Sequence, residues 1–498
     1  MGFKEDADFA RFVSMGAVAT DAVRTDLKRH GHEAIELERF AMSNKVWQTK
    51  VKRMRVPDLV CTRCGLRIES RGKSQLGIIV SHSDAGDRSW DAGMRDDDLY
   101  AFLRLDLNQE PIYASRPTYF RTRDMRASVA WAKESNRKAI SEGSEVTLTW
   151  AAWVPSKSGT FIDTDAEGRL VCQWEDGRRT RYWHWKNWPA RKLYVTPGDD
   201  IIAGETMIAG LVAAPQGIGC PGGWDLRAAL RGAEPGERYA AVKVAGVTRR
   251  SDLIPDLVPI AEEEHDWRVR LEAQASLARM DASWVKHIIA TASTSANSDD
   301  QRIEAVFVLS EIPTDDAASA LDAIAADDGR KPRELRAAAV WGLARGVHPC
   351  PDLVLPYASD SDEFVALHAI AGLPSIPENL VSDLIEWLGQ DDRRAAAAAQ
   401  VLLRHNAVHP LLAAVHEGGR KRLWALRALG DLHPDIVNHL GSPLLTLEIE
   451  RDLEPIWIGH EDWLRGESAD GLDALDIQKV RFNPLIDDDE SGPPPGAP

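Results

Sequence analysis

No run of about 18 apolar residues occurs in the sequence, which excludes a transmembrane helix. The opening residues, MGFKEDADFARF, lack the basic start and apolar stretch of a secretory signal. Five cysteines in 498 residues, an odd number and mostly scattered, argue against a disulfide framework. These absences point to a cytoplasmic protein with no membrane partner. A phosphate loop is missing too: Gly72-Lys73-Ser74 could end one, but the glycine needed five residues earlier is Arg67. No GxSxG nucleophile elbow is present either. Cys61 and Cys64 form a CxxC, yet no second CxxC completes a zinc set, and Cys172, Cys220 and Cys350 stand alone. Two packed thiols in a turn are therefore expected. The HxxxH pair, His405 and His409, lies far from them in sequence.

Acidic residues exceed basic ones by 17, but unevenly. Residues 1–140 hold 25 Lys or Arg against 20 Asp or Glu, residues 141–255 hold 14 of each, and residues 256–498 hold 21 against 43. A polyanion would be attracted to the N-terminal part and repelled by the C-terminal part. At roughly 150 residues per domain the length suggests about three domains.

The C-terminal part repeats. Apolar helical patterns place small residues at Ala273, Ala305, Ala337, Ala366, Ala395 and Ala425, at spacings of 32, 32, 29, 29 and 30 residues. A second apolar helix follows most of them. Paired helices at this period describe an α-solenoid similar to short HEAT-like repeats, expected over 265–442. Residues 443–498 read as an extension ending in a disordered acidic and proline-rich tail, DDDESGPPPGAP. Pro255 to Glu264 reads as the linker before the repeats. Between 141 and 253, alternating segments such as EVTLTWAAWV, GRLVCQWE, RYWHWKNW and RYAAVKVAGV predict a β-rich domain.

Residues 1–140 predict an α/β domain: a helix over Phe9–His30, then strands over His32–Phe40, Val56–Cys61, Leu66–Arg71, Gly77–Ser81 and Leu99–Leu105. Asp58 opens one strand after Pro57, and Glu69 lies on the next, with Arg71 and Lys73 on the same face by alternation. Two carboxylates on adjacent strands can share a divalent cation, and a nearby basic group can orient water or neutralise developing charge. This pattern resembles the PD-(D/E)xK nuclease superfamily, over about residues 8–105. Pro57-Asp58 stands as the PD pair and Glu69 as the (D/E), while Arg71 replaces the usual lysine and Lys73 follows two residues later. The resemblance implies a restriction-endonuclease-like fold. It implies Mg²⁺ or Mn²⁺ held by Asp58 and Glu69, with an upstream acid, Glu36, Glu38 or Asp21, completing the site. Asp91, Asp96, Asp97 and Asp98 form a further acidic group, read as a solvated turn that could lend an acid to a metal.

Arg178–Lys192, RRTRYWHWKNWPARK, mixes cations with aromatics. Arg178, Arg179, Arg181 and Lys186, with Trp183 and Trp185 on one strand face, suit stacking on unpaired bases while phosphates are held. Trp183 and Trp185 serve equally as core of the β-rich domain. The expectation is a multidomain Mg²⁺-dependent DNA endonuclease of bacterial restriction or anti-phage defence, with a protein partner docked on the solenoid. The alternative is a non-catalytic subunit that recognises DNA and scaffolds a protein.

Overall fold

The computed structural model describes residues 7–37, 54–83, 88–109, 111–140, 143–326, 331–373 and 375–467. It divides between Ser276 and Leu277 into a β-rich N-terminal unit and a helical C-terminal unit. No helix among the described residues is long and apolar enough to cross a membrane.

The N-terminal unit begins with α1 (Ala7–Arg29). Met15, Ala19, Val23 and Leu27 recur at every fourth position, so one stripe of the helix is apolar and buried. That stripe covers a sheet of β1 (Ala34–Glu36), β2 (Leu59–Cys61), β3 (Arg67–Lys73) and β5 (Leu99–Asp106). β1, β2 and β3 are antiparallel neighbours, and β3 runs parallel to β5. On the far side β5 pairs with β6 (Tyr113–Ala114) and β7 (Thr118–Arg121). β5 is buried on both faces: Leu99, Ala101, Leu103 and Leu105 meet α1, while Tyr100 and Phe102 enter a second core. Gly72 lets the helix come close, because a Cβ there would lie 2.8 Å from Ala19 and 2.6 Å from Leu105.

That second core is roofed by a sheet of β4 (Ile78–Ser83), β8 (Lys133–Ile140) and β9 (Gly143–Trp150), whose strands come from both sides of residue 140. α2 (Thr122–Ala127) lies in the chain between β7 and β8. Two further small sheets follow. One contains β10 (Ala152–Trp153), β14 (Lys192–Leu193) and β16 (Ala209–Gly210). The other contains β11 (Gly159–Thr164), β12 (Leu170–Trp174), β13 (Arg179–Tyr182) and β15 (Asp200–Ile201). α3 (Leu226–Leu230), α4 (Pro235–Val247), α5 (Ile254–Glu263) and α6 (Trp267–Ala278) lead to the boundary.

Two sequence expectations fail in this stretch. RYAAVKVAGV is not a strand but most of α4, where every residue from Tyr239 to Gly246 is buried. A helix enclosed on all sides loses its 3.6-residue pattern, and nothing then separates it from a buried strand. The expected linker is α5. Pro255 occupies the first turn, where its missing N–H has no bond to make, and Leu257 and Ala261 are buried. The expected strand over His32–Phe40 is described only as β1, and Glu38, like the tail from Asp487, falls outside the described residues.

The C-terminal unit contains α7 (Val285–Ser293), α8 (Asp299–Leu309), α9 (Asp315–Ala325), α10 (Arg333–Arg345), α11 (Pro351–Val354), α12 (Glu363–Gly372), α13 (Glu378–Trp387), α14 (Asp392–Arg404), α15 (Val408–Glu417), α16 (Gly419–Gly430), α17 (Pro434–Gly441) and α18 (Leu447–Glu467). Helices alternate between two layers. α8, α10, α12, α14, α16 and α18 pack in succession, and on the other side α7 packs on α9 and α15 on both α13 and α17. The helical repeat read from the sequence is therefore present. Ala305, Ala337, Ala395 and Ala425 are fully buried at its close contacts. Ala366 is half-exposed, and Val365 and Ala369 take the buried positions instead.

Two arginines join successive repeats. Arg302 donates to the Ala292 carbonyl at 3.2 Å, and Arg336 to the Ala325 carbonyl at 2.8 Å. Each serves the last turn of the preceding helix, where carbonyls lack an intrahelical partner. Arg336 is also held by Asp360, at 2.5 and 3.3 Å.

His368 sits in α12 at 1% exposure, with Nδ1 2.6 Å from the Phe364 carbonyl. Burial pushes its pKa down to about 4, against the opposing pull of that carbonyl. Between the ordinary value of 6.5 and about 4, the unfolded chain accepts a proton that the folded chain refuses. Stability is thus complete above that window and falls within it by about 1.4 kcal/mol per pH unit as acid is added. Urea unfolding across this window should show a shallower acid loss in His368→Leu than in the wild type; identical slopes would refute this origin.

Candidate functional site

Of the acids singled out by the sequence, Asp58 stands immediately before β2 and Glu69 lies on β3. Register pairs Leu59 with Ile68, which sets Asp58 beside the Glu69–Ser70 step. Asp58 Oδ2 accepts the Ser70 backbone N–H and the Ser70 hydroxyl, both at 2.7 Å. Ser70 Oγ lies 2.8 Å from Thr20 Oγ1 of α1, so this carboxylate is on the helix side of the sheet. Glu69 and Arg71 project from the opposite face by alternation, along the rows of Tyr100 and Phe102. There Arg71 Nη2 meets Glu69 Oε1 at 2.6 Å. Partial burial, then the neighbouring Arg71, push the Lys73 pKa down, while Glu145 opposes them. Glu36 is exposed at the end of β1, paired in register with Leu59. Asp21 is engaged by Arg24 at 2.5 Å. Among the described residues, Asp58, Glu69 and Glu36 do not form a group of three or more ligand atoms within 4.8 Å of one another.

The acidic run after Ser89 is divided: Asp96 and Asp97 are solvent-exposed, as a solvated turn implies, whereas Asp98 is withdrawn from solvent. Asp98 is fully buried and receives Arg67 Nε at 3.1 and 3.2 Å, Arg67 Nη2 at 2.5 Å, the Arg95 backbone N–H at 2.6 Å and Arg95 Nε at 3.2 Å. Arg126 binds Asp91 at 2.8 Å and Asp96 at 2.5 Å, and Asp97 lies 3.1 Å from Arg123. Four carboxylates in one turn are tolerated because arginines from β3, α2 and the turn itself neutralise them.

The basic and aromatic stretch splits. β13 ends at Tyr182, and His184–Asn187 forms a 3₁₀ turn, so Trp183 and Trp185 do not share a strand face. The turn rotates successive side chains by about 120° rather than 180°. Trp185 enters the core, with its indole N–H donated to the Gly168 carbonyl at 2.8 Å. Trp183 is 51% exposed, with Lys186 Nζ 4.3 Å and Arg169 Cζ 5.5 Å from its ring. Arg178, Arg179 and Arg181 are exposed along and before β13.

The CxxC is more than two packed thiols. Cys61 closes β2, Cys64 lies in the following turn, and the fold brings to them His32, just after α1, and Cys220, between β16 and α3. These four place their ligand atoms within 4.8 Å of one another. His32 and Cys220 carry no signal of their own in the sequence; the CTRCG turn marks only two of the four residues.

No family model matches the sequence, and no curated protein matches it. A chain in the structure of the complex of CpcE and CpcF of phycocyanin lyase from Nostoc sp. PCC7120 is similar over 49% of this chain and 99% of its own, at 18% identity and a TM-score of 0.24. A superposition this loose transfers neither fold nor function.

Removing one member of the buried Arg67–Asp98 pair strands the other without a counter-charge. Asp98→Ala should cost about 3–5 kcal/mol in urea unfolding, and pairing Asp98→Leu with Arg67→Met should recover most of it. A loss below about 1 kcal/mol for the single variant would place the pair with ordinary surface ion pairs.

Proposed function

We propose that this chain is a non-catalytic scaffold subunit: its helical array docks a protein, and its β-rich unit recognises DNA. The observation that carries this is the two-layer array together with its charge. Residues 277–467 hold 17 Lys or Arg against 30 Asp or Glu, a balance that favours a partner with a basic surface and disfavours nucleic acid. DNA contact falls instead to Arg178, Arg179 and Arg181 with the exposed Trp183 indole, where cations hold phosphates and the ring offers a stacking face.

A second reading rests on strand order. α1, the antiparallel β1, β2 and β3, and β5 parallel to β3 follow the order of the PD-(D/E)xK resemblance, with Asp58 just before β2 and Glu69 on the adjacent β3. On this reading Asp58 and Glu69, with Glu36 nearby, hold Mg²⁺ or Mn²⁺. The metal supplies a polarised phosphate and an activated water, and Arg71 or Lys73 steadies the developing negative charge. Both carboxylates would have to give up their present donors, Ser70 and Arg71. That requirement places this reading second.

One pair of assays separates the two. Fluorescence anisotropy with labelled single- and double-stranded DNA across a salt series should show binding that weakens in Arg179→Ala and Arg181→Ala. Each loss should lower the salt slope by about 1. Unchanged affinity in both variants would remove DNA recognition by this strand. Supercoiled plasmid incubated with the full chain and Mg²⁺ or Mn²⁺ should remain intact. Nicking that disappears in Asp58→Ala and Glu69→Ala would replace the scaffold reading with the nuclease one.

A further inference from the structure

Three stretches of chain far apart in sequence converge where α1 ends. Cys61 Sγ lies 3.8 Å from Cys220 Sγ, and Cys64 Sγ lies 3.5 Å from His32 Nδ1. A disulfide needs sulfurs about 2.05 Å apart, so the two sulfurs are not bonded to each other. The spacings are those of ligands around a common centre. With Zn–S near 2.3 Å and Zn–N near 2.0 Å, a tetrahedron has S···S edges of about 3.8 Å and S···N edges of about 3.5 Å.

The backbone holds these residues in place independently of their side chains. The Leu66 carbonyl accepts the Cys61 N–H at 2.8 Å, and the Cys61 carbonyl accepts the Gly65 N–H at 2.9 Å, closing the turn. Gly65 has a φ of +71°, and a Cβ there would strike the Trp224 indole at 2.6 Å, so glycine is required twice over. The segment that delivers Cys220 is anchored on both sides, by the Cys220 N–H to the His30 carbonyl at 3.1 Å and the Trp224 N–H to the Arg63 carbonyl at 3.0 Å.

The orientation of the histidine also suits a metal. His32 Nε2 lies 2.5 Å from the Ile218 carbonyl, which can only accept, so the ring proton sits on Nε2. The Nδ1 lone pair then faces the sulfurs, and a carbonyl behind the ring is the usual outer partner of a ligating histidine.

We propose that His32, Cys61, Cys64 and Cys220 bind one Zn²⁺ ion as a closed structural site. Three sulfur ligands select zinc over Mg²⁺ or Ca²⁺, and four protein ligands leave no position for a reacting water. The ion fastens the Ile218–Trp224 segment to the β2–β3 turn and the end of α1. It is separate from the Mg²⁺ expected at Asp58 and Glu69, and stands whether or not this chain cuts DNA.

The test is elemental analysis of the full chain purified without chelator, with cobalt exchange and thiol titration. One zinc per chain is expected. Cobalt should give a thiolate charge-transfer band with the intense d–d bands of tetrahedral geometry. Cys220→Ser should lose the zinc and Cys350→Ser should keep it. Should Cys220→Ser fail to fold, mercurial titration of the wild type decides, with zinc leaving in step with three of the five thiols. A wild type that takes up no zinc, a disulfide among Cys61, Cys64 and Cys220, or zinc retained in full by folded Cys220→Ser would each overturn the proposal.

Discussion

A single buried carboxylate organises the N-terminal unit. Asp98 stands immediately before β5, and Arg67, its main partner, opens β3, so their pairing fixes the starts of two parallel strands that no tight turn could join. Its influence spreads through the backbone. The Asp98 carbonyl accepts both the N–H and the hydroxyl of Thr122, seating the first residue of α2. Arg95, its second partner, reaches the Gly65 carbonyl at 2.9 Å and so steadies the cysteine turn. Burying a charge is costly, and this one is tolerated only because several donors converge on it and the surrounding network is connected.

Once β3 is fixed against β5, the roles of its side chains follow. Even-numbered residues face α1, where Ser70 meets Asp58 and Thr20 and Gly72 admits the helix. Odd-numbered residues face the aromatic core, where Glu69 meets Arg71. The two acids that a nuclease reading needs are therefore one peptide step apart along the sheet yet served by donors on different faces. Alternation drew attention to Glu69, Arg71 and Lys73 as a set; what draws the carboxylate of Asp58 away from them is its pair of bonds to Ser70.

How much could be read from the residues depended on whether the signal was local. The helical array was legible because each repeat carries its own apolar pattern and the period recurs. α1 was legible because its stripe is one-sided. α4 was not, since a helix buried all round has no stripe, and α5 was hidden by its prolines, Pro255 in the first turn and Pro259 inside the helix. Trp183 and Trp185 were misplaced by a single 3₁₀ turn after β13. The four metal ligands were the least accessible. Cys220 is 159 residues from Cys61, and nothing in either neighbourhood announces the other. A ligand set assembled from one CxxC, a lone histidine and a lone cysteine has no spacing to recognise.

The helical array has a comparable dependence, carried along its length. Arg302 belongs to α8 but completes the end of α7, and Arg336 belongs to α10 but completes the end of α9. These two hairpins thus have their last turns completed by the helix that follows. Such nearest-neighbour debts make unravelling cooperative: a repeat freed from its successor exposes bare carbonyls as well as apolar surface. They also restrict how an array of this kind can be shortened over evolutionary time. At these two junctions, a deletion that respects the thirty-residue period still has to supply an arginine to the helix before the cut.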